Sequence, residues 1–367
     1  MGEKEKKYFT KSKILNYIIN NQNTSKAEIA KNLNLSMPTV LTNVNDLLGQ
    51  GILVETGEYE STGGRKAKSI GINPKCRYAM GMAITANHVG MVLVNLRYEI
   101  EKSERKRIKF SRDTSYCTQI ADMAREFLKD VEEPDRLLGI GISIPGIISQ
   151  KEKLVLKSHA LQLENYSLNF LEQAFEFPVY FENDANAAML AENLHKYQNA
   201  VYLSLNNTLG GAFCIDGKLF SGENQKAGEF GHMVLVPGGR KCYCGKSGCA
   251  DAYCAAGALL DEKTESVDQF MQQLRDGDEM AEKKWETYLD YLAILISNLR
   301  MAYDMDIILG GEMGGYLTDY MIPLGEKVMQ YNGFDHDLRY LKNCSYKKEA
   351  SAVGVAKHFL QEFIRKM

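Results

Sequence analysis

Residues 228–254 read GEFGHMVLVPGGRKCYCGKSGCADAYC. Four of the chain's eight cysteines, Cys242, Cys244, Cys249 and Cys254, fall within thirteen residues here, and His232 stands ten residues before the first of them. A borderline-soft ion such as Zn²⁺ takes four nitrogen or sulfur ligands in a tetrahedron, and C-x-C-x4-C on a loop supplies three thiolates. Gly238, Gly239, Gly245 and Gly248 permit the reversals that turn those thiolates toward one point. A cluster of buried free thiols is the plainer reading, but a loop with so little apolar character gives them little to pack against. The spacing therefore predicts a structural metal site. Its fourth ligand is open on spacing alone. Cys254, in the first turn of a helix predicted through Leu260, makes an all-cysteine site, and His232 makes one of three thiolates and an imidazole.

The chain around this loop has 367 residues, enough for two or three domains with ample core. No apolar run approaches the roughly eighteen residues of a membrane span, and Met1–Tyr8 is charged, without the apolar centre of a signal peptide. Clustered cysteines without a secretion signal favour metal in a reducing, cytoplasmic compartment over disulfides. Cys76, Cys117, Cys214 and Cys344 are scattered and read as small buried hydrophobes. The net charge of −3 hides an asymmetry: residues 1–75 carry eleven Lys/Arg against seven Asp/Glu, about +4, leaving about −7 elsewhere. A basic end on an acidic body is the pattern of a nucleic-acid-binding module attached to something else.

That basic end has its own punctuation. Phe9, Ile14, Tyr17 and Ile18 have helical spacing, predicting a first helix from about Thr10 to Asn21. Ser25-Lys26-Ala27-Glu28 is a capping box that opens a short second helix. Ser36 caps a third, with Pro38 in its first turn, Val40, Val44, Leu47 and Leu48 buried, and Thr39, Thr42, Asn43 and Asp46 outward. Ile52–Glu55 and Ala67–Ile72 then pair around Gly63-Gly64-Arg65-Lys66. Short helices at a tight turn followed by a hairpin make a winged helix-turn-helix over residues 1–73, a reader of operator DNA. The third helix carries no basic residue, so base contacts are expected from Ser36, Thr39, Thr42 and Asn43, with Arg65, Lys66 and Lys68 supplying salt-sensitive affinity.

From Tyr78 the predicted order is strand (78–85), strand (90–96), strand (105–109), helix (114–131) and strand (137–143), the β-β-β-α-β core of an RNase H-like lobe. Glu182-Asn183-Asp184-Ala185-Asn186 follows a further strand and leads into a helix. Acids at that junction sit at the mouth of the sheet, where they hold a ligand hydroxyl or merely cap the helix. A second set of strands (200–205, 211–216, 218–220) precedes the metal loop. Helices follow at 266–275 and 279–303, then a strand at 307–309, a helix to about 331, and a last one from about 350 to 365.

GEFGHM followed by CYCGKSGC resembles the signature of the ROK family (repressors, open reading frames and sugar kinases), and the likeness extends over nearly the whole chain. It implies an α/β fold: the two-lobed actin-like ATPase (RNase H-like) architecture of sugar kinases, with a first lobe at 76–195 plus 350–367 and a second at 196–349. It implies zinc on His232, Cys242, Cys244 and Cys249, with Cys254 outside the set. It further implies a monosaccharide held by Asn183, Asp184, Glu229, His232 and Asp251, Asp184 matching the catalytic base of the family's kinases. The winged helix and its Gly-Gly-Arg resemble the family's transcriptional repressors, such as its xylose- and glucose-responsive members, which implies a homodimer or dimer of dimers on DNA.

The nucleotide half of the kinase pattern is missing. Where ROK kinases carry D-x-G-G-T this chain has Ala83-Ile84-Thr85-Ala86-Asn87, and the second hairpin reads Asn206-Asn207-Thr208-Leu209-Gly210-Gly211-Ala212, with one of three family glycines in register. Phosphoryl transfer rests on positioning and charge neutralisation, so the expectation is a regulator and not an enzyme.

Overall fold

The computed structural model describes residues 3–21, 23–59, 67–131 and 133–367. Three helices open the chain: α1 (Glu3–Asn21), α2 (Lys26–Leu33) and α3 (Met37–Gly49). α1 begins two turns before the apolar spacing does, because the Glu- and Lys-rich lead-in consists of good helix formers. The Ser25 hydroxyl accepts the Glu28 N–H at 3.2 Å, and Ser36 accepts the Thr39 N–H at 3.4 Å. β1 (Leu53–Tyr59) pairs antiparallel with β2 (Ala67–Ile72), Leu53 opposite Ile72, completing the winged helix-turn-helix. Arg65 and Lys66 lie outside the described residues.

The body contains the same sheet twice. β3 (Tyr78–Ile84), β4 (His88–Asn95) and β5 (Ile100–Arg107) form a meander. α4 (Thr114–Leu128) then leads to β6 (Leu137–Ile144). A small side sheet of β7 (Ile147–Ser149), β8 (Leu154–Ser158) and β9 (Leu163–Ser167) intervenes before α5 (Asn169–Gln173), β10 (Val179–Asn183) and α6 (Asp184–Ala191). The main sheet runs β10-β6-β3-β4-β5, with β6 parallel to β3 and β10 parallel to β6.

Next come β11 (Ala200–Leu205), β12 (Leu209–Ile215), β13 (Lys218–Leu219), α7 (Asp251–Cys254), α8 (Val267–Arg275) and α9 (Glu279–Tyr303). β14 (Asp306–Gly310), α10 (Gly311–Leu317), α11 (Met321–Tyr331), β15 (Leu341–Asn343) and α12 (Ala350–Arg365) complete the chain. This sheet runs β13-β12-β11-β14-β15, the order and sense of the first.

Two predicted helices are broken. The segment 311–331 divides at Thr318–Tyr320, just before Pro323, which supplies no N–H to a continuous helix. The segment 250–260 divides after Cys254, where the Ala256 N–H leaves the helix to bond Asn206 O at 2.8 Å.

α12 returns to the first sheet and lies on it backbone to backbone. A Cβ at Gly81 on β3 would overlap the carbonyl oxygen of Ala352, and one at Gly354 would overlap that of Ala187 on α6. Neither contact is with a flexible side-chain end that could yield. Gly354→Ala is therefore expected to lower stability by about 1–3 kcal/mol, read as a lower urea midpoint with an unchanged slope. The same helix joins the head to the body: Ala352, Leu360 and Ile364 share one core with Ile14, Val44 and Ile72.

Candidate metal centre and ligand cleft

The loop between β13 and α7 folds on itself through short bridges, Val234 to Cys249 and Lys241 to Ser247. Gly248, at φ +85°, abuts Val236 O so closely that a Cβ there would overlap it. These reversals gather His232, Cys242, Cys244 and Cys249, whose ligand atoms all lie within 4.8 Å of one another. Cys242 Sγ is 3.8 Å from His232 Nδ1, and Cys244 Sγ is 3.8 Å from Cys249 Sγ. Three thiols and an imidazole at such spacing could hold a metal ion. Cys254 is fully buried in α7 and stands apart from the four, its thiol pushed up by burial, so the choice left open by spacing falls to the histidine.

His232 turns Nδ1 toward the Cys242 thiol and Nε2 toward Tyr243 and Glu229. Nε2 lies 3.5 Å from the Tyr243 hydroxyl and 3.9 Å from Glu229 Oε2. Asp184 opens α6 on the other side. Burial raises the Asp184 carboxyl; burial and then the charge of Asp184 raise that of Glu229. Two acids from different halves of the chain thus lie near each other, and carboxylates so placed can accept hydrogen bonds from hydroxyl groups.

Two further residues expected to hold the sugar also make structural hydrogen bonds. Asn183 caps α6: its Oδ1 accepts the N–H groups of Ala185 (2.9 Å) and Asn186 (3.0 Å), and its Nδ2 donates to Gly146 O (2.9 Å). The cap fixes the start of α6, where Asp184 stands. Asp251 is only 7% exposed, and its Oδ1 accepts the Leu209 N–H at 2.6 Å. Burial pushes its carboxyl up to about 6, offset in part by that N–H. That bond ties Asp251 to the β11–β12 hairpin, while its charge still bears on the Tyr243 hydroxyl beside Glu229 and Asp184.

The geometry adds two residues that spacing did not single out. Tyr243 stands between Cys242 and Cys244 in sequence and brings its hydroxyl to within 3.5 Å of His232 Nε2. Its hydroxyl is raised by burial and then by the surrounding Asp251, Cys242, Glu229 and Asp184. His159, in the turn from β8 to β9, sets its ring 6.0 Å from that of His232 and 5.8 Å from that of Tyr243, edge to face. It reaches the metal loop from the other half of the body. Nothing in the local sequence of His159 signals this, because its partners lie more than seventy residues away.

On the head, Ser36 and Thr42 are exposed and Thr39 is half-buried. Asn43 is a correction. It is 6% exposed, shares the inward face with Val40, Val44 and Leu47, and donates Nδ2 to Thr39 O at 2.8 Å, so it faces no base.

A three-helix winged head on a body of two like-folded α/β sheets defines a DNA-binding regulator built on the actin-like, sugar-kinase scaffold. Residues 79–362 match the ROK family model, and residues 10–54 match a winged helix-turn-helix DNA-binding model. The chain belongs to the ROK family.

It is 28% identical over 252 residues to a xylose repressor of Bacillus spizizenii, covering 67% of this chain and 66% of that protein. To a xylose repressor of Caldicellulosiruptor bescii it is 26% identical over 354 residues, 89% of each. Among solved structures, a ROK family transcriptional regulator described as a homolog of the E. coli MLC protein superposes with a TM-score of 0.75. It covers 98% of both chains at 19% identity. A ROK hexokinase from Thermus thermophilus superposes at 0.61 over 76% of this chain and 96% of its own, at 24% identity.

Proposed function

We propose that the chain is a cytoplasmic transcriptional repressor of sugar-metabolism genes. A monosaccharide in the cleft closes the two lobes and releases operator DNA from a homodimer. The observation that carries this reading is the approach of Glu229 to both His232 Nε2 (3.9 Å) and Asp184, in a body that shares a core with a DNA-reading head. The relatives named xylose repressor support the sugar and the sign of regulation.

A structural zinc fits the donor set. Tetrahedral Zn–S bonds of about 2.3 Å put sulfur atoms about 3.8 Å apart, the separation of Cys244 and Cys249 Sγ. Zinc would fix His232 with Nε2 presented to the sugar. We assign residues 1–73 to the head, 76–195 plus 350–367 to the first lobe and 196–349 to the second.

Contacts at the end of α6 support coupling from the second lobe through the first to the head. Glu192, just past α6, accepts the Ser345 N–H (2.9 Å) and hydroxyl (2.5 Å). Buried Lys357 on α12 donates to the carbonyls of Ala191 and Glu192. Asn193 donates to Asn20 on α1 at 3.2 Å. A change in lobe angle at the Glu192–Ser345 crossing therefore acts on the segment that also holds α12 and α1.

The nucleotide side supports a regulator without kinase activity. Thr85 closes the first hairpin by bonding His88 O at 3.0 Å, and Asn206 ties the second to the Glu312 N–H at 2.9 Å. Side chains occupy the turns where the family's kinases use glycine, and Glu312 brings an acid to the second. Thermal shift against a monosaccharide panel tests the reading. One sugar should raise the melting temperature in proportion to the logarithm of its concentration, while a coupled assay with Mg-ATP shows no turnover. No shift with any sugar, or turnover abolished by Asp184→Asn, would contradict it.

A further inference from the structure

Most polar side chains on the outward face of α3 already have a partner within the head. The Thr42 hydroxyl donates to Pro38 O at 3.0 Å, the Ser36 and Thr39 hydroxyls bond each other at 2.8 Å, and Asn43 is buried. Asp46 is paired with Lys11 at 2.6 Å. Asn45 Oδ1 accepts from Lys26 Nζ at 2.8 Å, which occupies one of its two lone pairs and ties the amide to α2. Residues 37–49 contain no Lys or Arg, so bidentate reading of guanine is absent.

What the helix presents instead is apolar. Met37 is 43% exposed and Leu41 40% exposed, one turn apart on the same face, with Pro38 beside them. Exposed apolar side chains scattered singly need no explanation. Here they stand in the first two turns of the helix that a winged helix-turn-helix places in the major groove, where the only apolar group on any base edge is the C5-methyl of thymine.

We propose that α3 selects its operator by packing Met37, Leu41 and the Thr42 methyl against thymine methyls, with phosphate contacts elsewhere supplying affinity but not sequence. The half-site under α3 is then a short thymine-bearing run, and its recognition is steric and hydrophobic.

The test removes the methyl alone. Full-length protein selects duplexes from a random-sequence library, and each thymine of the selected half-site is then replaced singly by uracil. At two or more positions uracil should weaken binding about four-fold, the worth of one buried methyl-sized group. Leu41→Ala and Met37→Ala, both exposed and without a role in the fold, should bind more weakly, lose the distinction between thymine and uracil, and keep the wild-type salt slope. Equal binding of thymine and uracil duplexes, or selected half-sites without thymine under the helix, would overturn the proposal while leaving DNA binding intact. Failure to select any duplex would overturn the DNA-reading function with it.

Discussion

Cys249→Ser should lower the melting temperature by about 10 °C and abolish the response to sugar while leaving DNA binding in place. A serine hydroxyl does not ionise at neutral pH and replaces a thiolate poorly as a zinc ligand. Structural zinc contributes about 10–16 kcal/mol to folding of isolated zinc-finger peptides. In a chain with two large sheets only the part of that energy that holds the loop is lost, about 3–5 kcal/mol. At about 2–4 °C per kcal/mol for large domains this gives the stated shift. The sugar response goes because His232 is oriented by the site on one nitrogen and serves the cleft with the other. The head remains because its core adjoins α12, far from the loop in the packing. Calorimetry with metal analysis reads all of this. An unchanged melting temperature in metal-free protein would remove the structural role.

Asp184→Asn should weaken the effector sugar about 100-fold, with no loss of stability in the absence of sugar. A carboxylate accepting from hydroxyls forms charge-assisted hydrogen bonds of about 1.5–3 kcal/mol each, and an amide reproduces only part of that. Stability moves the other way. Burial raises the Asp184 carboxyl above its unfolded value, so the native state binds the extra proton and stability falls as pH rises from the unfolded to the folded pKa. Above that window the cost of the buried charge is fully present. Asparagine removes it, so the variant should match or slightly exceed wild type at pH 7, read by urea unfolding. Wild-type affinity for the sugar in this variant would take the carboxylate out of the cleft's chemistry.

Much of this was legible because it rests on local rules. The caps at Ser25 and Ser36, the Pro38 helix start and the β-β-β-α-β order follow from residues close in sequence, and the structure reproduces them. The metal quartet was nearly legible. Spacing named three thiols, and only the turn at Phe230–His232 decides between His232 and Cys254.

What sequence reasoning missed depends on long-range geometry. Asn43 was assigned outward by residue type, yet its helical phase puts it with Val40 and Val44. Asp251 also accepts the Leu209 N–H, a partner forty-two residues away that no local pattern announces. Asn183 serves as the helix cap that the same motif also allows. His159 meets the metal loop only because the side sheet β7–β9 carries it across the cleft.

The most direct test of the central claim is fluorescence anisotropy of the full-length protein on its selected operator, titrated with monosaccharides in the absence and presence of Mg-ATP. One sugar should release the DNA at the concentration that stabilises the protein, with the same midpoint whether or not nucleotide is present. Release that requires Mg-ATP, or DNA binding indifferent to every sugar that stabilises the fold, would contradict it.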